Sequence, residues 1–302
     1  MKKIITILFI SIIGVSTAMY AQSVDSVISK IISIGQSDNK TMEHLDILTN
    51  RFGGRLVGSD AYSNAAEWVA YKFSQWGMEV QIQEAGVVPV GFNRGPWFGK
   101  LLSEEGFVLH FATPSYTSGT KGVQRGHVLA EPKTRAEYER MKGALKGAWV
   151  LITGENNGWP IDFSEKGDYD RDEIITYNLA TAKYNDSIAI INKTNPKKKL
   201  EPREFKDAPA LFYKEMRKAG ILGIIQSAKL PIQALYDRKN IDSMTWETLP
   251  SCPDIKLDEH QYKIIAQKVK ERQYFQLEFD IRNHFRMGPV KYHNVICIIR
   301  GT

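Results

Sequence analysis

The most constraining stretch of this sequence is a helical face that runs straight into an alternating strand. Tyr62, Ala65, Ala66, Val69, Phe73 and Trp76 recur at three- and four-residue steps, so they fall on one side of an α-helix. Ser59 stands where an N-cap belongs and Gly77 where a helix ends. Beyond it, Met78, Val80 and Ile82 alternate with Glu79, Gln81 and Gln83, the pattern of a half-buried strand. A helix delivered into a strand by a single glycine is an α/β element, and it sets the expected fold class as α/β.

Upstream, two further helices are predicted: one from Val24, Val27, Ile28, Ile31 and Ile32, the other from Met42, Leu45 and Leu48 with Thr41 as its cap. Between about Gly91 and Pro250 the texture changes to short apolar runs rich in Gly, Pro and aromatic residues. Thr134 and Glu137 have capping-box spacing. Ala148–Thr153 reads as a buried strand, Leu211–Lys218 as a helix capped by Gly220, and Ile221–Ile225 as another buried strand. The polar stretch from Gly154 to Lys206 shows no apolar periodicity and is expected to be irregular. We therefore expect a smaller, mixed, β-rich domain inserted into the first.

The regular pattern resumes after Pro253. Tyr262, Ile265, Ala266 and Val269 mark a helix, and Phe275 to Ile281 alternates as a half-exposed strand. Val295–Ile299 is continuously apolar, which predicts a strand buried on both faces inside an α/β sheet. No internal repeat or low-complexity tract is read. The expected divisions are 1–21, 22–90, 91–250 and 251–302.

The first of these is read as a secretory signal peptide. Lys2 and Lys3 precede an apolar run from Ile4 to Val15 and small residues up to Ala21. A dozen apolar residues fall short of the roughly 20 that span a bilayer. Cleavage after Ala21 is expected, with Ala18 as the alternative, so the protein is expected to be secreted or periplasmic and free of the membrane after cleavage. The formal charge of +6 includes Lys2 and Lys3. The basic run Lys197-Lys198-Lys199 sits in a solvated stretch, and without a basic stripe or a recognisable module no nucleic-acid role is expected. Two cysteines, Cys252 and Cys297, are too few for a disulfide scaffold or a four-cysteine zinc site. Whether they pair is open, though Cys297 in its apolar run is expected to be buried.

Leu48-Thr49-Asn50-Arg51-Phe52-Gly53-Gly54-Arg55-Leu56-Val57-Gly58-Ser59 resembles the N-terminal signature of the co-catalytic zinc exopeptidases. That family includes secreted bacterial aminopeptidases and plasma glutamate carboxypeptidases. Ala112-Thr113-Pro114, Ser118-Gly119-Thr120, Leu145 to Ile152 and Ala219 to Ile225 are similar to landmarks of its inserted protease-associated domain. Leu249 to Tyr262 looks like the return segment, and Tyr292 to Thr302 like the strand that leads into the catalytic core.

The resemblance implies a hydrolase with two zinc ions, a peptide or dipeptide substrate, and a possible homodimer. It implies also that the ligands, a His and an Asp two apart followed by carboxylates and a final His, lie beyond this strand. The chain is thus expected to be the front portion of such an enzyme, inactive alone, with no catalytic, cofactor-binding or metal-ligating residue of its own. The alternative is a non-catalytic secreted peptide-binding module built on the inserted domain.

Several constellations have blander readings. His44-Leu45-Asp46 has the family's His-x-Asp spacing but sits on a predicted helix ahead of the turn. Gly53, Gly54 and Gly58 read as tight-turn residues before they read as an anion cradle. His293 reads as the start of a strand, and His127, His260 and His284 lack metal spacing. Asp168, Asp170, Asp172 and Glu173 are read as a solvated acidic loop, because the EF-hand Gly and bidentate Glu are out of register. Trp97, Trp149, Trp159 and Trp246 are read as packing residues.

Overall fold

A computed structural model describes residues 26–154, 156–195, 199–236 and 241–301. The signal-peptide reading of residues 1–21, and the placement of Val24, Lys197 and Lys198, lie outside the described residues. The chain divides into two compact units, one ending at Gly54 and one beginning at Arg55.

The first unit is helical. Helix α1 covers residues 26–37 and α2 Thr41–Asp46, which runs into one wider turn over Ile47–Arg51. The apolar face predicted for α1 is present, and Val27, Ile28, Ile31 and Ile32 are exposed on it. Gly53 carries a φ of +72°.

The second unit opens with α3 (Asp60–Gln75). The Ser59 hydroxyl accepts from the Tyr62 N–H at 3.1 Å, as the N-cap reading requires. Gly77, at φ +77°, turns the chain into β1 (Glu79–Val88). β1 pairs antiparallel with β9 (Val290–Ile298), from Glu79 opposite Ile298 to Val88 opposite Val290, with a bulge at Glu84–Gly86. The helix lies on this pair, and the Tyr62 hydroxyl donates to the His293 carbonyl at 2.8 Å.

Between β1 and β9 lies a seven-stranded mixed sheet in the order β2-β8-β4-β5-β6-β7-β3. Its strands are β2 (Gly91–Leu101), β3 (Phe111–Ala112), β4 (Gln124–Ala130), β5 (Trp149–Ile152), β6 (Gly223–Ala228), β7 (Asp254–Asp258) and β8 (Gln276–Arg286). β4 through β7 are parallel, and β2, β8 and β3 join antiparallel. The helices are α4 (Arg135–Met141), α5 (Glu165–Thr194), α6 (Tyr213–Ala219) and α7 (Glu259–Lys270).

β5 shows how the layers are filled. Trp149 and Leu151 face one core with Leu277, Phe279 and Ile265 of α7. Val150 and Ile152 face the other, with Phe212, Tyr213 and Met216. Successive strand residues point to opposite faces, so a four-residue apolar run serves two cores. The predicted capping box at Thr134–Glu137 and the left-handed Gly220 cap of α6 are both present.

Four expectations are corrected. The stretch expected to be irregular holds the 30-residue helix α5, and Asp168, Asp170, Asp172 and Glu173 lie on it. Its buried positions include Gly167, Arg171 and Thr181, so its inward stripe is partly polar and an apolar count does not register it. Val295–Ile299 is not buried on both faces: β9 pairs only with β1 among the described residues, and Ile296 and Ile299 are exposed. Cys297 is exposed for the same reason, while Cys252 is buried, and both are free thiols. β8 is largely buried rather than half-exposed, because Glu278, side by side with apolar neighbours, is covered by Arg125 and Lys100. Sheet pairing joins the strands from β2 to β8 in one body, inserted in sequence between β1 and β9.

Candidate functional site

Where the β1–β9 pair meets the start of β2, the second unit contains a cavity of about 260 Å³. Its walls are Leu56 and Val57 ahead of α3, Val87 and Val88 at the end of β1, and Tyr292 on β9. Tyr116, Tyr236, Ile241 and Asp242 close it from the inserted body.

Glycines let these segments approach. Gly58 has a φ of +79°, and a Cβ there would lie 2.6 Å from Val88 Cγ2. A Cβ on Gly91 would lie 2.5 Å from the Gly58 carbonyl oxygen. At Gly86 the space of a side chain is taken by the Tyr292 ring, whose hydroxyl would be 2.5 Å from a Cβ.

Tyr116 is the most determined residue of the wall. It holds a φ of +61°, a conformation that non-glycine residues rarely adopt, so the surroundings must hold it there. Its ring stacks on Phe92 at 5.1 Å, and its hydroxyl donates to the Val57 carbonyl at 2.6 Å. Burial, with a smaller contribution from Tyr236, pushes its pKa up to about 12, so the phenol stays protonated. Beside it, Arg94, exposed as a whole residue, turns its guanidinium inward to donate to the Thr113 carbonyl and the Ser115 hydroxyl, both at 2.8 Å. Burial lowers the pKa of that arginine. Asn283 donates to Thr113 Oγ1 at 3.0 Å, and the Ser118 hydroxyl donates to the Pro250 carbonyl.

The cavity thus offers aliphatic walls, three phenol rings and one carboxylate, Asp242. That lining suits an apolar or aromatic group carrying a hydrogen-bonding atom.

The residues singled out in the sequence are scattered. His44 and Asp46 lie on α2 of the first unit. His127 Nε2 is 2.8 Å from the Ala144 carbonyl, His260 Nδ1 is 3.7 Å from Asp258, and His284 sits opposite Asn93 in the β2–β8 pair. The acidic residues of α5 are each engaged separately: Asp168 with Arg171 at 2.7 Å, Asp170 with Lys166 at 2.7 Å, Asp172 with Lys214 at 3.6 Å, and Glu173 with the Tyr169 hydroxyl at 3.1 Å. Trp149 and Trp97 pack and donate to carbonyls, whereas Trp159 and Trp246 are half-exposed. Among the described residues no three His, Cys, Asp or Glu side chains are gathered so as to hold a metal ion, so the residues present do not fit a zinc centre. No described helix is long and apolar enough to cross a membrane.

The cavity itself is not read from the sequence. Its walls come from positions as far apart as Leu56 and Tyr292, and no local spacing connects them.

No family model matches the chain, and no curated protein does. Solved structures do. The chain is similar over 92% of its length to 54% of a peptidase M28 precursor from Shewanella amazonensis, at 15% identity and a TM-score of 0.45. It is similar over 84% to 46% of an aminopeptidase from an Aneurinibacillus species, at 12% identity and a TM-score of 0.40. It is similar over 86% to 46% of a zinc aminopeptidase from Bacillus subtilis, at 12% identity and a TM-score of 0.38. The chain spans about half the length of these structures.

Proposed function

We propose that this chain supplies the scaffold and a substrate-facing insertion of an exported, metal-dependent exopeptidase, while the hydrolytic centre is formed by residues other than those described. One observation carries the reading. Glu79–Val88 and Val290–Ile298, far apart in sequence, pair with each other and pack against α3, and the strands between them in sequence form a sheet of their own. An α/β layer interrupted by a mixed insertion is the layout that the family resemblance implies. In this reading the cavity between Val57, Tyr116 and Tyr292 takes an apolar side chain of the peptide. The basic and apolar segments of residues 1–21 direct export.

The test compares two proteins supplied with zinc and assayed against aminoacyl anilides and C-terminal dipeptides. The 302-residue chain is expected to give no chelator-sensitive turnover. The product of the same gene, read past the codon for Thr302 into a His-x-Asp loop and its partner ligands, is expected to give it. Chelator-sensitive turnover by the 302-residue chain would overturn the assignment of the ligands to other residues. An inactive longer product, or a stop codon directly after Thr302, would overturn the peptidase reading and leave peptide binding by the inserted body.

A further inference from the structure

Helix α5 carries a short repeat along one face: Tyr177-Asn178, Tyr184-Asn185 and Ile191-Asn192, each pair seven residues after the last. Each asparagine clamps the main chain of the extended segment 199–206, which runs back along the helix. Asn178 Nδ2 donates to the Lys206 carbonyl at 2.7 Å, and the Lys206 N–H donates to Asn178 Oδ1 at 2.9 Å. Asn185 treats Arg203 in the same way, at 2.9 and 2.8 Å, and Asn192 treats Leu200, at 2.8 and 2.8 Å.

The register has a simple origin. Seven residues of α-helix rise about 10.5 Å, and three residues of extended chain span about 10 Å. An asparagine every seventh helix position therefore meets every third residue of an extended partner. The tyrosine beside it receives a cation: the Arg203 guanidinium lies 4.0 Å from the Tyr184 ring centre, and the Lys206 ammonium 4.5 Å from that of Tyr177.

Two features separate this from ordinary packing. The six clamp bonds are all to main-chain atoms, so they recognise an extended polypeptide irrespective of most of its side chains. Residues 199–207 are exposed throughout, so little apolar burial fixes this particular segment in place. Next to the last clamp, Phe205 roofs an apolar cavity of about 280 Å³ with Ile175, Leu179, Ala182 and Phe212, yet remains 56% exposed.

We propose that the asparagine ladder of α5 is a binding site for an extended polypeptide segment, occupied at rest by the chain's own residues 199–206 and open to exchange. Its preferred occupant is a segment of another polypeptide with basic residues three apart, to stack on Tyr184 and Tyr177, and a large apolar residue just before the second, to fill the cavity. Exchange loses few bonds, because an incoming main chain remakes the six that the leaving one breaks. The resident segment holds the advantage of its tether, equivalent to an effective concentration on the order of millimolar. This site does not depend on the peptidase reading.

The probe is a fluorescein-labelled peptide with the sequence of residues 199–207, titrated by anisotropy into the full chain and into an unlatched form, Arg203→Pro with Lys206→Pro. The two prolines remove two of the three N–H donors of the resident segment, leaving that of Leu200, and leave the ladder asparagines intact. The unlatched chain is expected to bind the peptide at least tenfold more tightly than the parent. Asn185→Ala in that background is expected to weaken binding at least tenfold. Equal affinity of the two chains, or binding indifferent to Asn185, overturns the proposal. A concentration-dependent dimer of the unlatched chain that Asn185→Ala abolishes overturns the choice of a foreign segment.

If the unlatched chain does not fold, hydrogen exchange on the parent decides. The amides of Leu200, Arg203 and Lys206 are expected to exchange at least a hundredfold faster than those in the middle of α5. Exchange of both sets at one rate, through global unfolding, overturns the proposal.

Discussion

At Gly58 the backbone and the packing make the same demand. Its φ of +79° disfavours any side chain, and Val88 fills the place a Cβ would take. Gly58→Ala is expected to destabilise the second unit by about 2 kcal/mol or more, from the left-handed strain and the overlap together. Urea denaturation of the two proteins checks it, and an unchanged midpoint would show that the turn relaxes freely. The thiols give a second prediction. Burial pushes Cys252 up to about 12, while Cys297 is exposed. One equivalent of thiol is expected to react with Ellman's reagent in the native chain and the second only in denaturant. No reaction even in denaturant without reductant would mean that the two are paired.

Charged residues inside the inserted body work at the same scale. Lys256 is fully buried, with its ammonium 2.7 Å from Asp254 and 2.5 Å from the Gln226 side-chain oxygen. Burial lowers its pKa, and the Asp254 carboxylate opposes that shift. Lys256→Met would leave Asp254 as an uncompensated buried charge, at a cost of about 3–5 kcal/mol in chemical denaturation, and adding Asp254→Asn is expected to recover part of it. Glu278 is the pH-dependent case. The hydrogen bond from Arg125, aided by Lys100, holds its carboxyl below the usual 4.5. Its contribution to stability is complete above pH 4.5, the unfolded value, and is lost as pH falls through the depressed folded value. Glu278→Gln is expected to flatten that part of the acid limb in a series of urea melts. An unaltered limb would show the ion pair to be worth nothing in solution.

Among the elements, β5 and β9 carry the plainest lesson. Ala148–Thr153 and Val295–Ile299 look alike in sequence, as continuous apolar runs. The first has β4 and β6 on its edges and a core on each face, and the second has, among the described residues, β1 alone. Neighbours, not composition, make a strand central. Caps behave differently because their chemistry is local. Thr134 and Glu137 satisfy each other's N–H groups as the spacing predicted. Thr134→Ala is expected to cost about 1 kcal/mol, read as a lowered melting temperature. Helix α5 was hidden because its inward positions include the polar residues Arg171 and Thr181, which an apolar period does not register. Arg171, for instance, donates to the Asp162 carbonyl and to Asp168, both at 2.7 Å.

For the whole molecule, the sequence by itself determined the α/β class, α3 and its cap, and the turn glycines, and it carries the resemblance of the Leu48–Ser59 signature. Each of these rests on interactions within a few residues, or on a period that repeats along the chain. The tertiary structure alone decided that β8 pairs into one sheet with β2 and β4, and that β9, among the described residues, pairs only with β1. It also decided which cysteine is buried, and that Tyr116, Tyr236 and Tyr292 share a cavity. The ladder on α5 lies between these cases. Its seven-residue repeat is written in the chain, but its meaning depends on residues 199–206 lying alongside. The physical reason is common to all of them. Burial, pairing and cavities are made by contacts between residues distant in sequence, and the cost of bringing such residues together is repaid only by the fold as a whole.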